Sequence, residues 1–147
     1  MFRLLLIGTV LTLGHALGHA DDQVAIDSIK KNGGLVLPSP GRENQWDIQF
    51  QLRGRDLTDD GLADVARLGN VVELNLRDTK ITSAGLVHLK GLAKLTRLHL
   101  ERTNVGDEGI ANLTKLTTLE YLNLYGTKIT DKSVSYTHLT LPTIYSV

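Results

Sequence analysis

The 147-residue sequence contains no cysteine, which excludes disulfides, thiolate metal sites and cysteine nucleophiles and leaves packing alone to hold the core. Its 16 basic and 16 acidic residues cancel, so no strong field of one sign attracts nucleic acids or anionic membranes. One tryptophan, four tyrosines and two phenylalanines are too few for the aromatic platforms that bind single strands. The composition therefore predicts no nucleic-acid partner.

The first 20 residues have the pattern of a secretory signal peptide. Arg3 gives a positive start, residues 4–13 are uncharged and mostly apolar, and Gly18 and Ala20 are small residues flanking one position. The apolar run is well short of the ~20 residues that a permanent membrane span requires. We therefore expect cleavage after Ala20, a secreted or periplasmic protein, and no stable membrane insertion after cleavage. The lack of cysteine in an exported chain favours a bacterial source.

The middle of the chain repeats every 24 residues. The positions that recur are Leu74, Leu98 and Leu122; Leu76, Leu100 and Leu124; Thr79, Thr103 and Thr127; and Ile81, Val105 and Ile129. One copy earlier, the same register predicts Phe50 and Leu52 as the equivalents of the leucine pair. The copies comprise residues 47–70, 71–94 and 95–118, with a partial copy at 119–132.

Each copy combines the period of a strand with that of a helix. Leu74 and Leu76 alternate, as on one face of a strand, whereas Leu86, Leu89 and Leu92 recur at helical spacing. One copy buries too little apolar surface to fold alone, so several copies have to stack. The residues placed to cap or favour the helix starts are Thr58, Thr82 and Thr130, with the acidic Asp59, Asp60, Asp107, Glu108 and Asp131.

The third copy reads LTRLHLERTNV at residues 95–105 and resembles the leucine-rich-repeat pattern L-x-x-L-x-L-x-x-N-x-L. Thr79, Thr103 and Thr127 stand where that family usually has Asn or Cys. The continuation I/V-T-x-x-G-L, at residues 57–62 and 81–86, is similar to a subclass common in large bacterial exported proteins. The resemblance implies an α/β solenoid: a right-handed β-α superhelix with a parallel sheet on its concave face and short helices on its convex face.

Residues 21–46 are predicted to cap the N-terminal end of the repeats. Residues 21–31 start with acids, end with lysines and precede Gly33, which indicates a short amphipathic helix. A strand at residues 35–37 and a loop follow. We expect Trp46 to cover the otherwise exposed end of the leucine stack.

The last 15 residues, 133–147, contain no Lys, Arg, Asp, Glu or Gly, and their leucines arrive seven residues ahead of the repeat register. Residues 134–143 read VSYTHLTLPT, which resembles a translated sequencing adapter. We therefore expect a non-native tail, whose residues 136–141 imitate a strand, on a protein that continues past Lys132 with further copies. An intact genomic reading frame for residues 134–143 would contradict this expectation.

The sequence contains no motif for catalysis, cofactors or metals. No two histidines have metal-ligand spacing, and no nucleophile-elbow, phosphate-binding or dinucleotide-binding pattern is present. His88 is interpreted as a solvated residue of the convex side. The paired acids Asp59–Asp60 and Asp107–Glu108 are interpreted as helix-start residues rather than as catalytic acids. We therefore expect a non-enzyme without cofactor or metal.

The strand residues that alternate with the core leucines face outward on the concave side. Across the copies they form three rows: Gln49, Glu73, Arg97 and Tyr121; Gln51, Asn75, His99 and Asn123; and Arg53, Arg77, Glu101 and Tyr125. We expect Glu73 to face Arg97, and Arg77 to face Glu101. The candidate partner-binding residues are Glu73, Asn75, Arg77, Arg97, His99, Glu101, Tyr121, Asn123 and Tyr125.

Two interpretations of this face stay open at the level of sequence. Its charges either compensate one another to keep the protein soluble, or they surround a docking site for a partner protein, because tyrosine and arginine dominate binding hot spots. The leading hypothesis is an exported, non-catalytic protein-protein interaction module. The alternative is a recognition or structural segment of a larger, truncated exported enzyme.

Overall fold

The computed structural model describes residues 20–130 and the short segment 144–145. The elements follow in the order α1 (Ala20–Lys31), β1 (Leu35–Pro38), β2 (Trp46–Gln49), a 3₁₀ turn (Asp59–Gly61), α2 (Leu62–Leu68), β3 (Val71–Asn75), a 3₁₀ helix (Gly85–Gly91), β4 (Arg97–His99), α3 (Asp107–Leu113), β5 (Tyr121–Asn123) and β6 (Ile144–Tyr145). The predicted signal peptide lies outside the described residues except for Ala20. No helix within the described part of the chain has the length and apolar character of a membrane span.

The strands lie side by side in one sheet, in the order in which they occur in the chain. β1 is antiparallel to β2, and each later pair is parallel. Leu74, Leu98 and Leu122 are direct partners across β3, β4 and β5, while consecutive helices pack against one another. The predicted α/β solenoid is therefore confirmed, with the parallel sheet on its concave face and the short helices on its convex face.

The core is one continuous column of aliphatic side chains between the sheet and the helices. Leu98 and Leu100 of the third copy and Leu86 and Leu89 of the second are fully buried. Burial of each such side chain contributes about 1.5–3 kcal/mol. Because the column runs through every copy, the stability of one copy depends on its neighbours.

The helix of the second copy differs in type from the others. Gly85–Gly91 is a 3₁₀ helix, whose turn of about three residues aligns Leu86, Leu89 and Leu92 on one face. The first and third copies have the same apolar spacing but form the α-helices α2 and α3. The spacing therefore predicts a helix in each copy without specifying its type.

A threonine closes the turn after the strand in each of the last three copies. The hydroxyls of Thr79, Thr103 and Thr127 donate to the carbonyl oxygens three residues earlier, at 2.6, 2.8 and 2.7 Å. The residue before each threonine has a positive φ: 59° at Asp78, 56° at Arg102 and 69° at Gly126. Each threonine thus bonds one carbonyl of its own copy, and the bond holds a turn that favours glycine at the preceding position.

The strand of the first copy is two residues earlier than the 24-residue register predicts. Ile48, rather than Phe50, pairs with Leu74. Ile48 and Phe50 are both fully buried and form the inward pair, whereas Leu52 is 67% exposed. The prediction that Phe50 and Leu52 form this pair is therefore wrong.

The two extra residues of the first copy lie in the loop between Phe50 and Leu57. After this loop the repeat register returns, because the Lys80 N–H bonds the Leu57 carbonyl just as the Asn104 N–H bonds the Ile81 carbonyl. Gly54 packs on the Phe50 ring within this loop, where a Cβ would lie 2.6 Å from a ring carbon. The longer loop thus moves the strand without moving the helix.

The N-terminal end of the repeats is covered by α1 and β1. α1 occupies the segment where the sequence predicts a helix and packs on α2, with Ala25 and Ile29 fully buried. Ser28 donates a hydrogen bond to the Asp64 carboxylate at 2.5 Å. Trp46 is half-buried and packs against the core.

The acids at the helix starts bond the next copy instead of capping their own helix. The Asp59 carboxylate accepts the N–H and the hydroxyl of Thr82, at 2.8 and 2.6 Å. The Asp107 carboxylate accepts the same two groups of Thr130, both at 2.7 Å. At the equivalent position of the second copy, Ser83 accepts the Gly106 N–H at 2.9 Å. The N-cap residues Thr58, Ala84 and Gly106 make no side-chain cap. Of the predicted threonine caps, Thr82 accepts the Ala84 N–H on its hydroxyl at 3.3 Å.

The sheet ends at β6, which pairs with β5. Ile144 is opposite Leu122 and Tyr145 is opposite Asn123, a spacing of 22 residues, whereas Leu74, Leu98 and Leu122 are spaced by 24. The strand predicted at residues 136–141 and the whole adapter-like string at residues 134–143 lie outside the described residues.

Candidate interaction face

The sheet places the predicted face residues of the last three copies in the predicted rows. Glu73, Arg97 and Tyr121 are direct partners, as are Asn75, His99 and Asn123. The third row continues just beyond the strands, where the Arg102 N–H bonds the Tyr125 carbonyl. Because the first strand is shifted, its row members are Asp47, Gln49 and Gln51 instead of Gln49, Gln51 and Arg53. We refer to these three rows, together with β1, as the concave face.

Arg97, Tyr121 and His99 form a stack on the C-terminal half of the concave face. The Arg97 guanidinium carbon lies 5.2 Å from the Tyr121 ring centre, and the His99 and Tyr121 ring centres are 4.8 Å apart. Arg97 Nε is also 3.4 Å from Glu73 Oε2, so the predicted Glu73–Arg97 pair is present. Contacts of this kind hold the aromatic side chain in one orientation.

Glu101 is turned into the face and is only 9% exposed. Its Oε1 accepts the Asn123 amide N–H at 2.8 Å and lies 3.3 Å from His99 Nδ1. The predicted Arg77–Glu101 pair is wrong, because Arg77 Nε lies 3.3 Å from Asp78 Oδ2. His99 and Asn123 draw the Glu101 carboxylate inward, and Asp78 is the acid next to Arg77 in the chain.

Two asparagines of the middle row accept hydrogen bonds from the backbone. Asn75, which is 8% exposed, accepts the Arg77 N–H on its Oδ1 at 3.1 Å. Asn123 accepts the Tyr125 N–H in the same way at 3.1 Å. Both side chains fix the path of the chain as it leaves the strand, and Asn75 offers almost no surface to a partner.

Buried polar atoms without a hydrogen-bond partner are concentrated on the concave face. Within the described residues these atoms are Asp47 Oδ1, Gln51 Oε1, His99 Nε2 and Glu101 Oε2, and each belongs to one of the three rows. Buried polar groups in native proteins are generally paired. This face therefore carries hydrogen-bonding capacity that the fold itself does not use.

Apolar side chains lie at both ends of the concave face. Leu35 is opposite Gln49 and Leu37 is opposite Asp47, so both leucines share the face of those residues. They are 41% and 39% exposed, and Tyr125 at the other end is 55% exposed. Sequence reasoning missed Leu35 and Leu37 because only the antiparallel pairing of β1 brings them here. Their alternation around the inward-packed Val36 is the signal that could have found them.

The remaining acids and histidines are dispersed. Among residues 20–130, no three His, Asp or Glu side chains are arranged to hold a metal ion. His88 lies on the 3₁₀ helix of the convex side, half-buried. A polar cleft of about 500 Å³ lies between the end of α1 and the first-copy loop, with Lys31, Arg53, Asp56 and Asp60 in its lining. Its charges are mixed and select no particular ligand.

A comparison with protein-family models identifies two of the repeats. A family model described as "Leucine Rich repeat" matches residues 91–113 and 115–136. The crystal structure of an internalin from Listeria monocytogenes is similar over 58% of this chain and 30% of that chain, with 22% identity and a TM-score of 0.42. The chain thus spans under a third of the length of that protein. No curated protein matches the sequence.

Proposed function

Since the chain belongs to the leucine-rich-repeat family, we propose that it is an exported, non-catalytic interaction module whose concave face binds a partner protein. Repeats of this kind present an extended curved surface suited to binding another polypeptide. The proposal concerns the described copies and whatever further copies the whole protein carries.

The observation that carries the proposal is the stack of Arg97, Tyr121 and His99 beside the exposed Tyr125. Tyrosine and arginine contribute most of the binding energy at many protein interfaces. Arg97 and His99 already contact the Tyr121 ring, so little side-chain freedom is lost when a partner docks. A surface that served solubility alone would not need aromatic rings fixed in this way.

Export is supported by the signal-peptide pattern of residues 1–20. The expected result is a mature protein that begins at Asp21 and is recovered from the periplasm or the medium. N-terminal sequencing of the recovered protein measures this directly. A cytoplasmic protein that retains Met1 would contradict export and would leave the binding proposal intact.

The non-catalytic part of the proposal is supported by the use of the helix-start acids. Asp59 and Asp107 each accept two hydrogen bonds from a threonine of the next copy. A carboxylate engaged in this way is poorly placed to exchange protons with a substrate. These acids are therefore assigned to joining the copies.

A photo-crosslinking experiment tests binding by the concave face. A photoreactive phenylalanine replaces Tyr125 in one sample and Val87 in the other; Val87 is 47% exposed on the convex side. Both proteins are irradiated in an extract of the source organism, and the crosslinked bands are identified by mass spectrometry. We expect a specific band from position 125 that loses about tenfold or more of its intensity on Tyr121→Ala.

Two outcomes would contradict the proposal. The same band from both positions indicates nonspecific contact, and a band from position 87 alone places the binding surface on the convex side. The Tyr121→Ala protein has to retain the circular-dichroism spectrum of the wild type for the comparison to count.

A further inference from the structure

The middle of the concave face carries more negative charge than the fold neutralises. Asp47 and Glu73 are direct partners on neighbouring strands in the first row, and Glu101 lies in the third row, in contact with His99 of the middle row. Like charges on opposed strand positions are destabilising unless something compensates them. In the part of the chain that the structure describes, the arginine paired with this group is Arg97, which contacts Glu73. His99 lies 3.9 Å from Glu73 and 3.3 Å from Glu101 and adds a positive charge only when it is protonated, so these two groups carry at most two positive charges against three acids.

Glu101 is the most telling member of this group. It is 91% buried, and its neighbours on Oε1 are an amide and an imidazole rather than a lysine or arginine. Its Oε2 has no hydrogen-bond partner, and neither has Asp47 Oδ1. A buried carboxylate without a lysine or arginine partner, and with one oxygen unpaired, is costly, so its retention calls for a functional explanation.

The unused atoms define the chemistry of the missing group. Three of the four are oxygen atoms of Asp47, Gln51 and Glu101, and these atoms can only accept hydrogen bonds. The matching group is a donor that carries positive charge, which among side chains means the arginine guanidinium or the lysine ammonium. The Glu73 and Glu101 side chains are 23% and 11% exposed, so these carboxylates border the surface, although the unused oxygen atoms themselves are buried.

We propose that the middle of the concave face binds an arginine or lysine side chain from an extended segment of a partner protein. The inference rests on the proposed function and adds the chemistry of the segment that is recognised. Leu35 and Leu37 at one end, and Tyr125 at the other, receive apolar side chains of the same segment. From β1 to β5 the face crosses four strand spacings, roughly 19 Å, which about six extended residues span.

Peptide selection supplies a probe whose sequence is not decided in advance. The protein is immobilised and used to select from a phage-displayed library of random dodecapeptides. Recovered peptides are synthesised with a fluorescent label, and their Kd values are measured by fluorescence anisotropy at low and at physiological salt. Each Arg or Lys of a recovered peptide is then replaced by Gln, one at a time.

The protein variants separate the two proposals. Glu101→Gln removes the charge at nearly constant volume, and Asp47→Asn does the same at a second position. Glu108→Gln is the matched control, because Glu108 is an exposed acid on the convex side. Tyr125→Ala tests binding to the concave face as such. Thermal melts confirm that each variant is folded.

The recovered peptides are expected to contain a conserved Arg or Lys between apolar residues. Replacing it by Gln is expected to weaken binding to the wild type roughly tenfold to a hundredfold, and hardly at all to Glu101→Gln, because the two losses share one interaction. Glu108→Gln is expected to bind as the wild type does, and added salt is expected to weaken all basic peptides.

Each other outcome overturns something specific. Peptides that lose binding on Tyr125→Ala but keep it on both Glu101→Gln and Asp47→Asn overturn the cation site alone. Peptides that tolerate all of these changes, or a selection that recovers none, overturn the proposed concave-face function as well. A wild-type dimer in sedimentation analysis that Glu101→Gln dissociates makes a second copy of this chain the occupant and overturns the partner protein.

Discussion

The glycine that opens the second-copy helix is required by an acid of the first copy. A Cβ added to Gly85 would meet an Asp59 carboxylate oxygen and lie 2.8 Å from Asp59 Cγ. That carboxylate is fixed by the N–H and the hydroxyl of Thr82, so it cannot turn aside without breaking both bonds. We therefore expect Gly85→Ala to destabilise the protein although alanine is the better helix former.

The magnitude follows from two opposing contributions. Loss of hydrogen bonds to a charged group costs about 1.5–3 kcal/mol each, with the lower end suiting the half-buried Asp59. Alanine recovers about 0.5–1 kcal/mol of helix propensity. The net loss in the free energy of unfolding is about 1–3 kcal/mol, or roughly 3–5 °C in Tm for each kcal/mol.

The third copy supplies the matched control. There Ser83 takes the place of Asp59: at the equivalent glycine, Gly109, its Oγ would lie 3.3 Å from an added Cβ, while Val105 and Leu86 would lie at 2.9 and 3.0 Å. Asp59→Ser should therefore restore room for alanine, so that the double variant Asp59→Ser, Gly85→Ala is more stable than the sum of the single effects predicts. Urea denaturation of the four proteins measures this coupling. Additive effects, or a Gly85→Ala protein as stable as the wild type, would refute the reasoning.

Three further predictions concern packing, a turn and a surface charge. Leu98→Ala empties the centre of the leucine column and is expected to cost about 2–5 kcal/mol in urea denaturation; a loss below 1 kcal/mol would contradict the stacking. Gly126→Ala should cost about 1 kcal/mol, because φ is 69° there, and Gly91→Ala, with open space around it, is its control. The Lys80 ammonium hydrogen-bonds the Asp56 carboxylate and holds the pKa of that carboxyl below 3.8. NMR titration should show the Asp56 pKa rising in Lys80→Gln. Any stability that this ion pair adds is lost only as the pH falls through the lowered Asp56 pKa. An unchanged Asp56 pKa would contradict the pair.

The repeats could be predicted from sequence because their determinants are periodic. Leu74, Leu98 and Leu122 are spaced by one coil, and stacking is the arrangement that buries all three. The first copy broke the rule because Leu52 occupies a leucine position in the register while a longer loop moves Ile48 into the core. The sequence cannot reveal such an insertion when an apolar residue, here Leu52, happens to occupy the position that the register assigns to a core leucine.

The concave face was predictable as a set of positions but not as a set of contacts. Alternation fixes which residues face outward, and hence the rows. The conformation of Glu101 depends on His99 and Asn123, and sequence does not fix such side-chain choices. The bonds from Asp59 and Asp107 to the next copy were missed because the acid beside a helix start also fits a local capping role.

The acid–threonine hydrogen bonds make the two ends of the repeat chemically different. Asp59 and Asp107 offer acceptors toward the C-terminus, and Thr82 and Thr130 offer donors toward the N-terminus. These joints alternate with the joint in which Ser83 accepts the Gly106 N–H, so a duplicated second and third copy together carry the threonine donor at one end and the acid acceptor at the other. A duplication of this unit in phase with the repeats therefore reproduces the same hydrogen bonds at the new junction. An insertion out of phase with the repeats leaves these donors and acceptors unpaired.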